Sequence, residues 1–198
     1  MERSRLYLVD GSTYIFRAFF AVRGLTNRDG VPVNAVYGFT SMLLKLIKDE
    51  KPDYLAVVFD KSGRSFRNDI YPEYKAHRPP PPEDLVPQFS LIREVTRAFN
   101  IPALEMEGFE ADDIIGTLAS RHATEDVEAI IVSSDKDLMQ LVGTNVRMLD
   151  TMKNVLYGPA EVFEKMGVRP NQIIDFLALM GDSSDNIPGV PGIGKKTA

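Results

Sequence analysis

Leu6-Tyr7-Leu8-Val9-Asp10-Gly11-Ser12 is a short apolar run that stops on an acid and a turn. Four successive apolar residues are too few for a helix and read as a buried strand with Asp10 at its exit. Ser12 or Thr13 is then placed to cap a helix running through Phe20. The same pattern returns twice: Tyr54-Leu55-Ala56-Val57-Val58-Phe59 exits at Asp60, and Ala129-Ile130-Ile131-Val132 leads into Ser133-Ser134-Asp135-Lys136-Asp137. Between these runs the apolar spacing is helical. Val36, Phe39, Met42, Leu43, Leu46 and Ile47 share one face over residues 35–47, and Ile114, Ile115, Leu118 and Ala119 share another. Further helices are expected at 85–99, 138–141, 159–166 and 170–180, further strands at 103–106 and 146–149, and a loop at 24–34. Strands alternating with helices predict an α/β fold, a mostly parallel central sheet with helices on both faces. In such a sheet the crevice lies at the carboxyl ends of the strands.

The chain has 198 residues, 44% hydrophobic and 26% charged, which suits one globular core rather than a disordered or fibrous chain. It has no cysteine, which excludes disulfide scaffolds, thiolate zinc sites and thiol nucleophiles. Its two histidines, His77 and His122, are far apart, so any metal is directed toward hard oxygen ligands. The N-terminus lacks the apolar length of a signal peptide, and no apolar run reaches the roughly 18 residues of a membrane span. A cytoplasmic protein without a membrane partner is therefore expected, with a monomer as the default.

Phe109-Glu110-Ala111-Asp112-Asp113-Ile114-Ile115-Gly116 packs three carboxylates into four residues. Such acids repel by about 1 kcal/mol per pair at 4 Å in water, and by about 4 kcal/mol at an effective dielectric of 20. A helix N-terminus accounts comfortably for one or two of them, at roughly 0.3–1 kcal/mol each. Convergence favours a metal site instead. The topology collects Asp10, Asp60, Glu110, Asp112, Asp113, Asp135 and Asp137 at one edge of the sheet, which suits one or two hard divalent cations. Two ions roughly 3.5–4 Å apart can activate water and stabilise the leaving oxygen of a phosphodiester.

The charge distribution fits a polyanionic substrate. Adding Asp182 and Asp185 from Gly-Asp-Ser-Ser-Asp-Asn gives nine candidate ligands, and without their charge the formal −5 becomes an excess of four positive charges. Residues 61–78 carry Lys61, Arg64, Arg67, Lys75 and Arg78 with Phe66, Tyr71 and Tyr74 interleaved, a mixture suited to phosphate contact and base stacking, or else an ordinary solvated loop. Prolines 79–82 keep the end of this stretch extended. Arg17, on the first helix, is a further candidate for the crevice. The segment Ile187-Pro188-Gly189-Val190-Pro191-Gly192-Ile193-Gly194-Lys195-Lys196 is a glycine-rich turn that brings backbone N–H groups within reach of a phosphate, or simply connects two helices.

Taken in order, Leu8-Val9-Asp10-Gly11-Ser12, Val57-Val58-Phe59-Asp60, Tyr74-Lys75-Ala76-His77-Arg78-Pro79, Glu110 to Gly116, Ser134-Asp135-Lys136-Asp137 and Gly181 to Gly194 resemble the 5′ nuclease domain of bacterial DNA polymerase I, a relative of flap endonucleases. The resemblance implies a PIN-like fold with residues 1–180 as nuclease core. Residues 61–87 would form a helical arch, and 181–198 the start of a helix-hairpin-helix. It further implies hydrolysis of DNA near 5′ ends and 5′ flaps at single-strand/duplex junctions, with Mg²⁺ or Mn²⁺, two ions together, and K⁺ at the hairpin. The family's acids map onto the nine carboxylates, its phosphate-steering bases onto Arg17, Lys75 and Arg78, and its stacking aromatic onto Tyr74. Lys61, Arg64, Arg67, Gly189, Gly192, Gly194, Lys195 and Lys196 are the further DNA-contact candidates. Ser134 departs from the glycine of many members.

Because the sequence stops at Ala198 with the second hairpin helix barely begun, it is expected to be a piece of a longer bacterial protein in which a polymerase domain can follow. Two other readings stay open at this point: a Toprim- or phosphatase-like phosphotransfer enzyme, which gives no role to Asp182 and Asp185, and a non-catalytic DNA-binding fragment.

Overall fold

The apolar run at the head of the chain forms β1 (Ser4–Asp10), a central strand of a six-stranded sheet. The computed structural model describes residues 3–61 and 63–198; residues 1, 2 and 62, the last within the expected arch, lie outside the described residues. After β1 come α1 (Gly11–Ala21), α2 (Asn34–Glu50), β2 (Tyr54–Val58), α3 (Phe66–Ile70), α4 (Gln88–Ala98) and β3 (Ala103–Leu104). Then follow α5 (Ala111–His122), β4 (Val127–Val132), β5 (Val146–Asp150), β6 (Val155–Tyr157), α6 (Pro159–Met166) and α7 (Ile173–Met180), with 3₁₀ turns at Asp137–Leu141 and Pro170–Gln172.

The strand order is β3-β2-β1-β4-β5-β6, parallel throughout except for the antiparallel edge strand β6. Chain order runs outward from β1 through β2 to β3 and then returns to β4 on the other side of β1. That reversal opens a crevice at the carboxyl ends of β1 and β4.

Alternation along each strand divides the core into two layers. Tyr7, Val9, Val57, Phe59, Ile130 and Val132 pack with α1, α2 and α4, while Leu8, Ala56, Val58, Ala129 and Ile131 pack with α5, α6 and α7. The expected parallel sheet with helices on both faces is therefore present. Gly38 of α2 lies against Ala18 of α1, where a Cβ would meet the Ala18 Cβ at 2.9 Å, so its small size sets how closely these helices approach. Buried Gln88 supplies α2 with the first-turn acceptor that its own N-cap, Val33, does not, accepting from the N–H groups of Ala35 at 2.8 Å and Val36 at 3.1 Å.

Several local expectations change. Asp10 itself caps α1, accepting from the Thr13 N–H at 3.0 Å, so Ser12 and Thr13 lie inside the helix. The basic stretch after β2 contains the five-residue α3 and a chain of turns, and α4 begins at Gln88 rather than Leu85 because the turns at 82–88 come first. β6 was not expected. Among the described residues no helix is long and apolar enough to cross a membrane.

One ionic network fastens the edge of the sheet to α4. Glu105, just after β3, accepts from Lys61 at 2.7 Å and from the Arg93 Nε at 2.7 Å, while another Arg93 nitrogen donates to the Asp60 carbonyl at 2.8 Å. Burial raises the Glu105 pKa, but the two cationic donors outweigh it and hold the carboxyl below its usual range. A depressed carboxylate adds stability above its unfolded pKa, and that stability is lost as pH falls through the folded value. Glu105→Gln is therefore expected to cost about 1 kcal/mol near neutral pH, a gap that narrows only below about pH 4. Urea unfolding of both proteins across pH checks this; a gap that does not change with pH would remove the ionic account.

Candidate active site

Strand β1 delivers Asp10 to the crevice floor, where it is 3% exposed and yet charged neighbours surround it. Its carboxylate accepts from the Thr13 backbone and hydroxyl and, at 2.8 Å, from Ser133, the first residue after β4. Ser133 also accepts from the Asp135 N–H at 3.0 Å, so a single buried hydroxyl registers the exits of two adjacent strands. Asp60, at the exit of β2, takes a hydrogen bond from Ser12 and one at 2.8 Å from the Ala111 N–H at the start of α5. The positive end of α5 is thereby turned toward the crevice.

Asp10, Asp60, Glu110, Asp112, Asp135, Asp137 and Asp185 line one crevice of about 310 Å³, together with Lys75 and Arg78. Burial and then the charges of Asp10 and Asp135 push Asp112 up to about 8. Burial and the charges of Asp135 and Asp182 push Asp137 up to about 6. Asp10 is raised as well, by burial more than by Asp60 and against its hydrogen bonds. Carboxylates held in this way are short of positive charge.

The segment between α3 and α4 supplies some of that charge. Lys75 lies 2.8 Å from Glu110 and 3.9 Å from Asp185, and Arg78 lies 2.6 Å from Asp185. The Tyr74 hydroxyl is 3.1 Å from Glu110 and 3.0 Å from Asp185. Tyr74 is 7% exposed, so its ring is not offered as a stacking face; it is a buried strut between Glu110 and Asp185.

Two of the nine acids stand off the crevice. Asp113 is bound bidentately by Arg67 at 2.8 Å on each oxygen, and it also accepts from the Glu110 N–H at 2.9 Å, the helix-start role considered for this cluster. Burial raises its pKa, but these donors hold it below its usual range. Arg67, expected to contact DNA, is committed to that pair. Asp182 is buried and paired with Lys136 at 2.8 Å.

The remaining candidates sit further out. Arg17 does not line the crevice; it donates to Thr151 just past β5 at 3.0 Å. Lys61 lines a neighbouring groove and pairs with Glu105, and Arg64 lies beside Asp69 on the exposed approach. Gly189 has a structural task. A Cβ there would meet the Gly181 nitrogen at 2.4 Å, so the bare backbone is what lets the turn close on α7. Gly192, Gly194, Lys195 and Lys196 are exposed.

Sequence reasoning missed Ser133, Thr151 and Lys136. A hydroxyl directly after a buried strand was a signal for Ser133; a lysine between two acids reads as surface charge, and Thr151 carries no local signal.

Among the described residues no three His, Cys, Asp or Glu side chains are gathered into a ready-made metal group, and Glu110, Asp113, Asp182 and Asp185 are paired with cations of the chain itself. The donor set nevertheless fits a hard divalent ion. It is wholly oxygen, its charge is undercompensated, and the buried Asp137 Oδ1 has no hydrogen-bond partner.

Fold and crevice together define an α/β protein with an acid-lined, cation-roofed site at the switch point of its sheet. Residues 5–167 match the family described as 5′-3′ exonuclease, N-terminal resolvase-like domain, and residues 168–198 match 5′-3′ exonuclease, C-terminal SAM fold. The chain belongs to the 5′-3′ exonuclease family. It is 56% identical over 201 residues to DNA polymerase I of Rhizobium leguminosarum, covering 98% of this chain and 20% of that protein. It is 45% identical over 193 residues to the 5′-3′ exonuclease of Aquifex aeolicus, covering 98% of this chain and 67% of that one. Among solved structures, T5 5′-exonuclease with bound divalent metal ions (zinc) superposes with a TM-score of 0.77 at 27% identity, covering 98% of this chain and 72% of that one. The chain thus spans about a fifth of the length of the polymerase relative.

The Arg67–Asp113 pair ties α3 to α5. Its side chains are 33% and 21% exposed, so the coupling is discounted for solvent and expected at on the order of 1 kcal/mol. A double-mutant cycle with Arg67→Ala and Asp113→Ala, read by denaturant unfolding, measures it. Additive losses would reduce the pair to a surface contact.

Proposed function

We propose that this chain is a divalent-metal-dependent, structure-specific 5′ nuclease that hydrolyses DNA phosphodiesters near 5′ ends and 5′ flaps. The observation that carries the reading is the convergence of seven carboxylates from separate segments in one crevice, roofed by Lys75 and Arg78. Membership of the 5′-3′ exonuclease family supports it.

Asp10, Asp60, Glu110, Asp112, Asp135, Asp137 and Asp185 would hold Mg²⁺ or Mn²⁺, two ions in our reading, with Asp182 in reserve beside Lys136. Such ions supply a water of lowered pKa and charge stabilisation at the phosphate. The chain's own residues do the rest. Ser133 and the Ala111 N–H fix the orientations of Asp10 and Asp60. Lys75 and Arg78, poised over the crevice, neutralise charge that develops on phosphate oxygens. Arg17, held by Thr151, meets the backbone further along. Asp113 serves the site by fastening the arch rather than as a ligand. The partner is DNA with a single-strand/duplex junction, and the turn at 189–196 grips its duplex part, with K⁺ as a candidate ion there.

Asp135→Asn and Lys75→Ala are the tests. Asp135→Asn is expected to lower single-turnover cleavage of a 5′-flap substrate in Mg²⁺ by about 10³-fold or more while flap binding persists. Lys75→Ala is expected to lower it by about 10²-fold, the loss typical of one charge-stabilising donor. Wild-type turnover in Asp135→Asn would contradict the site assignment.

A further inference from the structure

Lys75 carries its long side chain on a backbone at φ +55°, in the sparsely populated left-handed region. A residue stays there only when its surroundings over-determine it. Part of that determination is local: the Ala76 N–H bonds to the Glu73 carbonyl at 3.1 Å and the Arg78 N–H to the Lys75 carbonyl at 3.0 Å. The remainder comes from the far end of the chain.

The turn at 182–187 is closed by reciprocal backbone bonds between Asp182 and Ile187, at 2.9 and 2.8 Å. From this turn the Asp185 carbonyl accepts from the Lys75 N–H at 3.0 Å, and the Ser184 carbonyl accepts from the Arg78 Nε at 3.2 Å. The third link is a neutral side chain. Asn186 donates from Nδ2 to the Glu73 carbonyl at 2.8 Å, across 113 positions of sequence. Asn186 is itself at φ +60°, a conformation asparagine tolerates better than most residues, and this aims its amide at the arch.

The links differ in what they survive. The Lys75 and Arg78 side chains are the groups expected to leave their carboxylates for substrate, whereas the bonds from the Asn186 amide to the Glu73 carbonyl and from the Lys75 N–H to the Asp185 carbonyl use no carboxylate and can persist. We propose that Asn186 is a positioning residue, clamping the Glu73–Arg78 segment of the arch to the turn that carries Asp182 and Asp185, and so keeping Lys75 over the crevice. This rests on the nuclease reading above, in which Lys75 acts on the scissile phosphate.

Two variants separate the side chain from the backbone. Asn186→Gly keeps access to positive φ and loses the amide; Asn186→Asp keeps the shape and loses the donor. Hydrogen exchange over residues 73–78 is expected to speed up by about 10-fold in both. Single-turnover flap cleavage is expected to slow by about 10-fold while flap affinity changes by less than about 2-fold. On a Lys75→Ala background neither variant should add to the loss, because Asn186 acts through Lys75. Wild-type exchange in Asn186→Gly overturns the clamp, and so does an additive loss of rate. If Lys75→Ala leaves cleavage unchanged, the role given to Lys75 fails instead, and exchange at 73–78 still decides whether Asn186 holds the arch.

Discussion

Like-charge repulsion at the carboxyl ends of β1 and β4 is the constraint to which the rest of the structure responds. Three unit charges at about 4 Å spacing already cost several kcal/mol at an effective dielectric near 20, and this crevice gathers seven carboxylates. Two of the acids at the strand exits, Asp10 and Asp60, are held there by neutral donors. Ser133 and Thr13 serve Asp10, and Ser12 and the start of α5 serve Asp60. These donors orient the acids without cancelling their charge. The elevated pKa of Asp112, at about 8, comes from burial first and then from the charges of Asp10 and Asp135.

The remaining charge is met by segments that are remote in sequence. Lys75 and Arg78 arrive from the segment between α3 and α4, and Lys136 stands beside Asp182. That segment has two attachments of different kinds. One is ionic and shares the carboxylates with any bound cation. The other is made of backbone and amide hydrogen bonds and does not engage the crevice carboxylates; a separate ion pair, Arg67–Asp113, lies off the crevice at the start of the segment.

The strand exits were legible in the sequence because the apolar runs are short and punctuated by acids, as at Leu6–Asp10 and Ala129–Asp135. Helix α5 was legible from Ile114, Ile115, Leu118 and Ala119. β6 was not, since three residues after a turn carry no period. Nor could spacing show that Asp113 would be taken by Arg67, or that Tyr74 would turn inward to Glu110 and Asp185. Those outcomes depend on contacts across 36 to 111 positions, decided by which cation reaches which acid in the folded chain. The same holds for Gly189, whose role against Gly181 depends on how the turn folds back.

The central claim is that the crevice is short of positive charge in a way that a hard divalent cation relieves. Titration of the protein with Mn²⁺, followed by loss of the free-ion electron paramagnetic resonance signal, tests it without reference to cleavage. Saturable binding that Mg²⁺ displaces, and that weakens by about 10-fold or more when Asp112→Asn and Asp135→Asn are combined, is the expected result. Mn²⁺ uptake by that double variant equal to wild type would contradict the account.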